Sequence, residues 1–461
     1  MKRLFLLFAV LAVVATSCQK DTAESFNSGF ANSPSNAITM EKACDNLKNI
    51  LRDIDPQTRG SIRTIRDIKP FPISSFRNNI TRTTQQDSTE LLYLVNFEDN
   101  NGYAVVAANT LISPSVLFVT DSGSAEISDF ETVCTINDVD GFSLDDLYYA
   151  PEDDYYLGAV DTQHNDLLLQ QNIINNVVNF SINVSTDQTV DVSGSSYEDV
   201  NSKFSVNPLV NTDWYQGHPF NCKFTEKSES SGKIVPAGCT TIAVAQLLTC
   251  TKDRDIKTNF DIDGVTWNDL EDFDVIYGDT VGCAEDFDTE YLTQRDAVTK
   301  LIKYVADGIG VKYNYGIGKS KGTYGRPGKV VDYLESLGYK VEHKKNRSKI
   351  SIETQQEINE SLYKGYPVIV GGLGSIDGHW SGHAWLIDGC MFAEEENDWL
   401  CHLNLGWGGR GNGWYMRDCF DSTEQVNIEA NNSIQEINIK PLAAEGEFRY
   451  TWMFNIIIIE Y

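Results

Sequence analysis

A stretch of 120 residues without any lysine or arginine is the feature that most constrains the fold of this 461-residue chain. Residues 83–202 carry 21 acidic side chains and no basic one, while residues 1–82 sum to a charge of +5 and residues 203–461 to −13. An acidic block of this kind is typical of a disordered tail. However, residues 91–97 and 103–120 are rich in Val, Leu, Ala, Tyr and Phe, and such runs predict β-strands. The acidic block is therefore predicted to contain a folded sheet.

The whole chain is acidic as well, with 37 basic and 66 acidic residues and a net charge of −29. This excess argues against a nucleic-acid-binding protein, which needs basic surface to neutralise phosphates. The hydrophobic content of 41% is that of a globular chain, and the length predicts roughly two to three folded units.

The N-terminus has the pattern of an export signal. Two basic residues precede an apolar run over residues 4–15 that is too short to span a bilayer. The sequence Ala-Thr-Ser-Cys at 15–18 resembles a bacterial lipobox, in which Cys18 would be lipidated; ordinary cleavage after a small residue is the alternative. We expect residues 1–18 to be a signal peptide. We also expect an exported lipoprotein, periplasmic or at the cell surface, which contacts the membrane only through Cys18 or is released after processing.

Apolar content collapses over residues 185–205, where Ser, Asp and Gly dominate, and this predicts a linker. The linker divides the exported chain into residues 19–205 and residues 206–461. Helical and strand patterns alternate irregularly, which predicts an α+β fold. The predicted helices are Met40–Ile54, a buried one from Gly238 and 293–306, and the predicted late strands are Pro367–Val370, Ala384–Ile387 and Cys401–Leu405.

Cys239 is the candidate nucleophile. Nine cysteines remain besides Cys18, and an odd number leaves at least one thiol of an exported chain unpaired. Cys239 follows Gly238 at the start of an apolar helical run, so its sulfur is predicted near a helix N-terminus, where the dipole favours the thiolate. A small buried hydrophobic residue is the alternative interpretation of a single cysteine.

A thiol nucleophile needs a base, and the chain has six histidines, at positions 164, 218, 343, 379, 383 and 402. His383 is predicted at the mouth of a strand, after a mobile glycine-rich loop at 371–375. His379 is its rival, but it is predicted to lie within that loop. His383 follows Cys239 by 144 residues, inside the roughly 130–150 residues typical of papain-like proteases.

Three motifs surround these residues. They are Ala-Gly-Cys-Thr-Thr-Ile-Ala at 237–243, Gly-His-Ala-Trp-Leu-Ile-Asp-Gly at 382–389 and Leu-Asn-Leu-Gly-Trp-Gly-Gly at 403–409. Together they resemble the streptopain family, papain-like cysteine proteases that bacteria secrete as zymogens. Residues 91–123 are similar to the propeptide of that family, so the resemblance spans most of the chain.

The resemblance implies roles for five residues. Cys239 would attack a peptide carbonyl, and His383 would hold the ion pair and protonate the leaving amine. Gln216, with the backbone N–H of Cys239, would form the oxyanion hole. Asn404 would orient His383, and Trp407 would shield their hydrogen bond from water. Alternatively, Gln216 is an ordinary surface glutamine, Asn404 a buried strand asparagine and Trp407 a core tryptophan.

The third motif departs from the family at one position. The family has a tryptophan where this chain has Leu405. Either that tryptophan packs beside the imidazole, so that its loss weakens the orientation of His383, or Trp407 suffices.

We therefore expect residues 206–461 to be a papain-like α+β peptidase domain, with a helical and an antiparallel-sheet subdomain, and residues 19–205 to be a propeptide that blocks its cleft. The predicted activity is cysteine endopeptidase cleavage of proteins or peptides, without cofactor or metal ion, since C-x-x-C and H-E-x-x-H motifs are absent. The alternative is a catalytically weakened homologue that acts as a surface binding module. A third possibility is acyl transfer or amide hydrolysis on a non-protein substrate.

Charge also bears on how the two parts would associate. Both are acidic, so attraction between their net charges is not expected to hold them together. We expect shape and apolar contact to do so, and mutual repulsion to help the cut propeptide leave.

Overall fold

The described part of the chain in the computed structural model comprises residues 37–71, 92–133 without 111 and 113, 170, 173–174, 204–229, 232–251, 267–275, 287–315, 322–347, 350–376, 379–393, 398–417 and 449–460. The predicted signal peptide and residues 185–203 of the predicted linker lie outside these residues.

The N-terminal region, defined here as residues 37–133, packs one long helix against four antiparallel strands. Helix α1 (Met40–Thr58) begins where the Thr39 hydroxyl accepts a hydrogen bond from the Lys42 N–H at 3.2 Å. Its buried residues recur at helical spacing: Ala43, Leu47, Ile50, Leu51 and Ile54. The other elements are β1 (Ile65–Phe71), β2 (Leu92–Phe97), β3 (Tyr103–Ala107), β4 (Val116–Thr120) and α2 (Ile127–Val133). The apolar runs of the acidic block thus form buried strands, as predicted.

The C-terminal region, defined as residues 204–460, mixes helices with antiparallel strands. Its helices are α3 (Cys239–Cys250), α4 (Trp267–Glu271), α5 (Thr289–Ile309), α6 (Pro327–Ser336) and α7 (Ile352–Tyr363). Its strands are β5 (Ser205–Val206), β6 (Lys312–Tyr315), β7 (Gly322–Tyr324), β8 (Lys340–Arg347), β9 (Val368–Ile376), β10 (His379–Ala393), β11 (Asp398–Asn404), β12 (Gly413–Met416) and β13 (Arg449–Glu460). The predicted α+β class is confirmed. None of the described helices has the length and apolar content required to cross a membrane.

The two regions share one sheet of eleven antiparallel strands. Ten of them follow the order β1-β2-β3-β4-β12-β11-β10-β9-β13-β8, and β5 pairs with β10. At the junction, Thr120, Val119 and Phe118 of β4 pair with residues 413–415 of β12. Buried apolar side chains from both regions form a single cluster. The sheet is therefore continuous between the part predicted to be a propeptide and the part predicted to be the peptidase.

Helix α3 lies in a second buried cluster, between the sheet and α5. Every residue from Cys239 to Thr249 is buried, which agrees with the all-round apolar pattern of its sequence. Leu301 of α5 and Leu386 of β10 belong to the same cluster. This packing fixes the start of α3 against β10, the strand that carries His383.

The prediction of a glycine-rich loop at 371–375 is wrong, because these residues form part of β9. β9 lies between β10 and β13, and Gly372 pairs with His383. Hydrogen bonds from both neighbours stabilise a segment that has little strand propensity of its own. The rings of Trp385 and Phe454 fill the space beside Gly372, each 3.2 Å from where a Cβ would lie.

Strand β10 is longer than predicted. It begins at His379, which was predicted to lie in the loop, and His383 is within the strand rather than at its mouth. A strand interior holds the backbone of His383 more rigidly than a loop end would.

Candidate active site

Cys239 is the first residue of α3, as predicted, and only 1% of its surface is exposed. Gly238 before it has a φ of 92°, in the left-handed region that favours glycine. A Cβ on Gly238 would lie 3.0 Å from Thr323 of β7. Glycine therefore permits the close turn that sets the helix N-terminus, with its thiolate-favouring dipole, against β7.

Gln216 lies beside this turn. Its backbone carbonyl accepts a hydrogen bond from the Ala237 N–H at 2.8 Å. Its side chain is buried, with 1% of the residue exposed, and neither amide atom has a hydrogen-bond partner in the described part of the chain. Leaving a buried amide without partners is costly, so this side chain is available to bind an oxygen atom near Cys239.

The contact between the sheet and α3 brings β10, the strand that carries His383, against the start of that helix. Ala384, the residue after His383, packs against Cys239. The His383 Nε2–H donates to the Leu405 carbonyl at 2.9 Å, and because a carbonyl only accepts, Nδ1 is assigned as the basic nitrogen of the neutral ring. Burial lowers the pKa of His383 to about 3, and the Leu405 bond offsets only part of this effect. The imidazole is therefore neutral here, and burial disfavours its ion pair with a thiolate.

Two tryptophan rings account for the burial of this imidazole. Trp407 stacks on His383 with ring centroids 4.3 Å apart and planes 19° apart. Trp385 stacks with it at 5.9 Å and 22°. Trp407, predicted to shield a hydrogen bond of His383, covers the ring itself.

The acceptor that orients His383 in this structure is the Leu405 main chain rather than the Asn404 side chain. Asn404 Oδ1 accepts from Gln246 Nε2 at 3.1 Å, and Asn404 Nδ2 donates to the Thr212 carbonyl at 2.9 Å. Since Leu405 contributes a backbone atom, replacement of the family's tryptophan at this position leaves the hydrogen bond to His383 in place.

Gln246 joins the segments that carry the candidate residues. It lies seven residues after Cys239, about two helical turns, and so on the same face of α3. Its Oε1 accepts from Thr212 Oγ1 at 3.0 Å and from the Trp214 N–H at 3.2 Å, while its Nε2 donates to Asn404. One buried amide thus ties the nucleophile's helix to the segment before Gln216 and to the end of β11. Gln246 was not predicted from the sequence, although its spacing from Cys239 was a usable signal.

A second buried histidine lies on the neighbouring strand β11. His402 Nδ1 is 2.6 Å from Asp388 Oδ1, and its Nε2 is 2.7 Å from Asp121 Oδ2 of the N-terminal region. Asp388 lies at a β-bulge between β10 and β11, and its Oδ2 accepts from the Val210 N–H. Burial opposes the charged form of His402, but the two carboxylates outweigh it and raise the pKa of His402 to about 10. This cluster was not predicted from the sequence.

Cys222 is another thiol with an imidazole neighbour. Its Sγ is 3.1 Å from His218 Nδ1, and both residues are half-buried. Because Cys222 is more exposed than Cys239, thiol labelling has to separate the two residues. The cysteines that the structure describes are all in the reduced thiol form: Cys44, Cys222, Cys239, Cys250, Cys390 and Cys401.

The chain is similar to known proteins over the segment that carries the candidate residues. Residues 214–415 match the model of the Peptidase C10 family, and the match includes all five predicted site residues. No match was found among curated proteins. Among solved structures, a mutant fragment of Prevotella intermedia prointerpain A is 18% identical, with a TM-score of 0.47 and coverage of 81% of this chain and 96% of that one. Active wild-type interpain A, a cysteine protease of the same organism, is 19% identical, with a TM-score of 0.38 and coverage of 57% and 98%. Over residues 214–415 the chain therefore resembles the Peptidase C10 family, the cysteine peptidases of streptopain type.

Proposed function

We propose that this chain is a cysteine endopeptidase made as a zymogen, with Cys239 as nucleophile and His383 as general base. One observation carries the assignment of these two residues. Cys239 stands at the N-terminus of a buried helix and packs against the residue that follows His383 in β10. The unpartnered amide of Gln216 beside the same turn supports an oxyanion hole.

The proposed reaction uses these groups in sequence. His383 Nδ1 takes the proton of the Cys239 thiol, and the thiolate attacks the carbonyl carbon of the scissile bond. The N–H groups of Cys239 and of the Gln216 side chain stabilise the oxyanion. The imidazolium then protonates the leaving amine, and a thioester remains. Water that gives its proton to His383 hydrolyses the thioester and releases the acid.

The burial of the site supports a latent state. Cys239 and His383 are almost inaccessible, and the pKa of His383 near 3 disfavours the imidazolium that the reaction requires. We infer that activation admits water and substrate beside Trp407, which raises the pKa of His383 toward its ordinary value. Residues 19–205 are proposed as the propeptide, with the cut within 185–207.

We also propose export and lipidation at Cys18, on the strength of the sequence over residues 1–18 alone. Cys18→Ser is expected to abolish incorporation of radiolabelled palmitate and to move the protein from the membrane to the soluble fraction. Equal incorporation in both forms would contradict lipidation at this residue.

The test of the proposed activity compares purified wild type with Cys239→Ala. We expect wild type to process itself and to cleave casein, and Cys239→Ala to do neither, while Cys222→Ser, the matched control at the other cysteine and histidine contact, keeps both activities. N-terminal sequencing of the fragments locates the cut. Full casein cleavage by Cys239→Ala would overturn the proposal. Inhibition by thiol reagents of hydrolysis on small amides, without proteolysis, would favour a non-protein substrate instead.

A further inference from the structure

The contact between the N-terminal and C-terminal regions combines a strand ladder with buried rings. β4 and β12 pair over residues 118–120 and 413–415. The rings of Phe118 and Tyr415 stack at 5.3 Å, and the Tyr415 hydroxyl accepts from Gln170 Nε2 at 3.1 Å. Phe118 and Tyr415 belong to one buried cluster, so the interface resembles the interior of a domain.

The two strands also approach closely. A Cβ on Gly413 would lie 2.3 Å from the Val119 carbonyl oxygen. Only glycine at this position of β12 permits the observed approach of β4. The fit is therefore specific to these two strands.

A half-buried ion pair adds local attraction to the ladder. Asp121, just after β4, bonds His402, and its N–H donates to the Asn412 carbonyl at 2.8 Å. Burial opposes the Asp121 carboxylate, but His402 and the nearby Arg59 and Arg63 outweigh it and lower the pKa of Asp121. From the net charges of the two parts, no electrostatic attraction between them was expected. Net charge does not describe individual contacts such as this ion pair.

We propose that β12 and His402 form a docking surface that retains the N-terminal region after the chain between the two regions is cut. This inference rests on the proposed zymogen only for the biological role of the cut. The ladder, the shared cluster and the ion pair do not depend on the covalent connection through residues 185–203. Cleavage there leaves a two-chain complex, and release of the peptidase requires further breakdown of the N-terminal region.

The docking surface is contiguous with the candidate active site. The backbone carbonyl of Asn412 accepts a hydrogen bond from the Asp121 N–H. Its side-chain Oδ1 accepts one from the Leu405 N–H at 2.9 Å. The Leu405 carbonyl in turn accepts from His383. Retention of the N-terminal region thus holds the segment that orients the imidazole.

The test uses the full chain with Cys239→Ala, which prevents self-cleavage, and with a recognition sequence for a site-specific protease inserted within residues 185–203. After cutting, size-exclusion chromatography over a dilution series gives the concentration at which half of the fragments have separated. We expect the fragments to elute together at roughly micromolar concentration. Elution as two separate fragments at every concentration would overturn the proposal.

Two variants test the surface itself. Asp121→Asn is expected to raise the half-dissociation concentration roughly 100-fold, because it leaves the buried His402 without one of its two carboxylate partners. Gly413→Ala is expected to raise it without any change of charge. Asp99→Asn makes the same charge change at an exposed turn of the N-terminal region and is expected to have no effect.

Dissociation of Asp121→Asn and Gly413→Ala at the parent's concentration would overturn the assignment of this surface. Circular dichroism of the uncut variants establishes that each is folded before it is cut. The readout is association in a Cys239→Ala background, so it is independent of whether the chain is a peptidase.

Discussion

His383 and His402 lie on neighbouring strands of one sheet and are both buried, yet one imidazole is neutral and the other is positively charged. The pKa of His383 is lowered to about 3 and that of His402 is raised to about 10. Burial lowers both values. His383 has two tryptophan rings and a carbonyl around it, whereas His402 lies between two carboxylates. The partners, and not the depth of burial, decide the charge.

This difference suggests separate roles for the two histidines, catalysis for His383 and association of the two regions for His402. In the proposed mechanism, the neutral imidazole of His383, with its proton on Nε2, is the general base. The imidazolium of His402, which is charged at neutral pH, joins Asp388 of one region to Asp121 of the other. His383 is expected to control catalysis and His402 to control association of the two regions. Variants at the two sites should therefore affect the two properties separately.

The largest effect is expected from His383→Ala. Loss of the general base should abolish self-processing and reduce casein cleavage roughly 100- to 10,000-fold. The association of the two regions, measured by the dilution assay, should stay unchanged. Asp121→Asn should show the reverse pattern. If His383→Ala loosened the regions as much as Asp121→Asn does, the division of roles would be contradicted.

A smaller, pH-dependent effect is expected from Gln246→Glu. A neutral carboxyl group can still donate to Asn404 Oδ1, whereas a carboxylate cannot and repels it. We expect kcat to fall roughly tenfold relative to wild type at neutral pH, with little change in KM, and to recover as the pH falls through the pKa of the new carboxyl group. Pre-steady-state and steady-state kinetics with a peptide substrate measure this ratio.

Gln355→Glu is the matched control for this variant. Gln355 donates to Asn359 Oδ1 at 2.7 Å in another buried amide pair, on α7. The same chemical change there should reduce stability without a pH-dependent loss of kcat relative to wild type. Equal pH profiles for the two variants would show that Gln246 is a general core residue and not a positioning residue.

Association of the two regions is expected to depend on pH through His402 and Asp121. The pKa of His402 is raised, so its contribution is complete below about 6.5 and is lost as the pH rises toward about 10. The pKa of Asp121 is lowered, so its contribution is present above about 3.8 and is lost below that value. Asp388, Asp213, Arg59 and Arg63 also face this cluster.

The half-dissociation concentration of the cut Cys239→Ala chain should therefore be lowest between about pH 4 and 6.5 and should rise toward pH 10. Only the share that Asp121 contributes changes on release, since Asp388 stays beside His402. Asp121→Asn should flatten the profile. Tighter association at pH 9 than at pH 6 would contradict the assignment.

The smallest effect is expected from Leu405→Met. The side chain is buried, but its role toward His383 belongs to the backbone carbonyl. A replacement of similar volume should change kcat/KM less than about threefold. A loss of tenfold or more in the peptide assay would show that the side chain itself orients the imidazole.

Local patterns predicted the elements that carry the candidate site. The apolar run after Gly238 is a buried helix, and Cys239 opens it. The spacing of motifs made Cys239 and His383 the candidate pair, because the chemistry of a thiol nucleophile restricts which residues can serve it, and their catalytic roles stay a prediction. The strands within the acidic block were predicted from their Val, Leu and Phe content, which outweighs the absence of cations.

Features that depend on pairing between distant segments were not predictable in the same way. Glycine-rich residues 371–375 form a strand only because β10 and β13 flank them. The acceptor for His383 is a backbone atom, which leaves no signal in residue identity. The contact of His402 with Asp121 spans 281 positions and arises from the junction of β4 with β12. Net charge, which suggested repulsion, carries no information on such contacts.

The rate at which iodoacetamide alkylates Cys239 tests the account most directly. It is measured by mass spectrometry against pH in a Cys222→Ser chain, before and after self-processing. We predict slow alkylation in the intact chain, where Cys239 is 1% exposed. After processing we predict a rate at least roughly 100-fold higher that persists at mildly acidic pH, where an ion-paired thiolate survives. If the alkylation rate of Cys239 in the processed protein were no higher than the rates of the remaining thiols, the account would be contradicted.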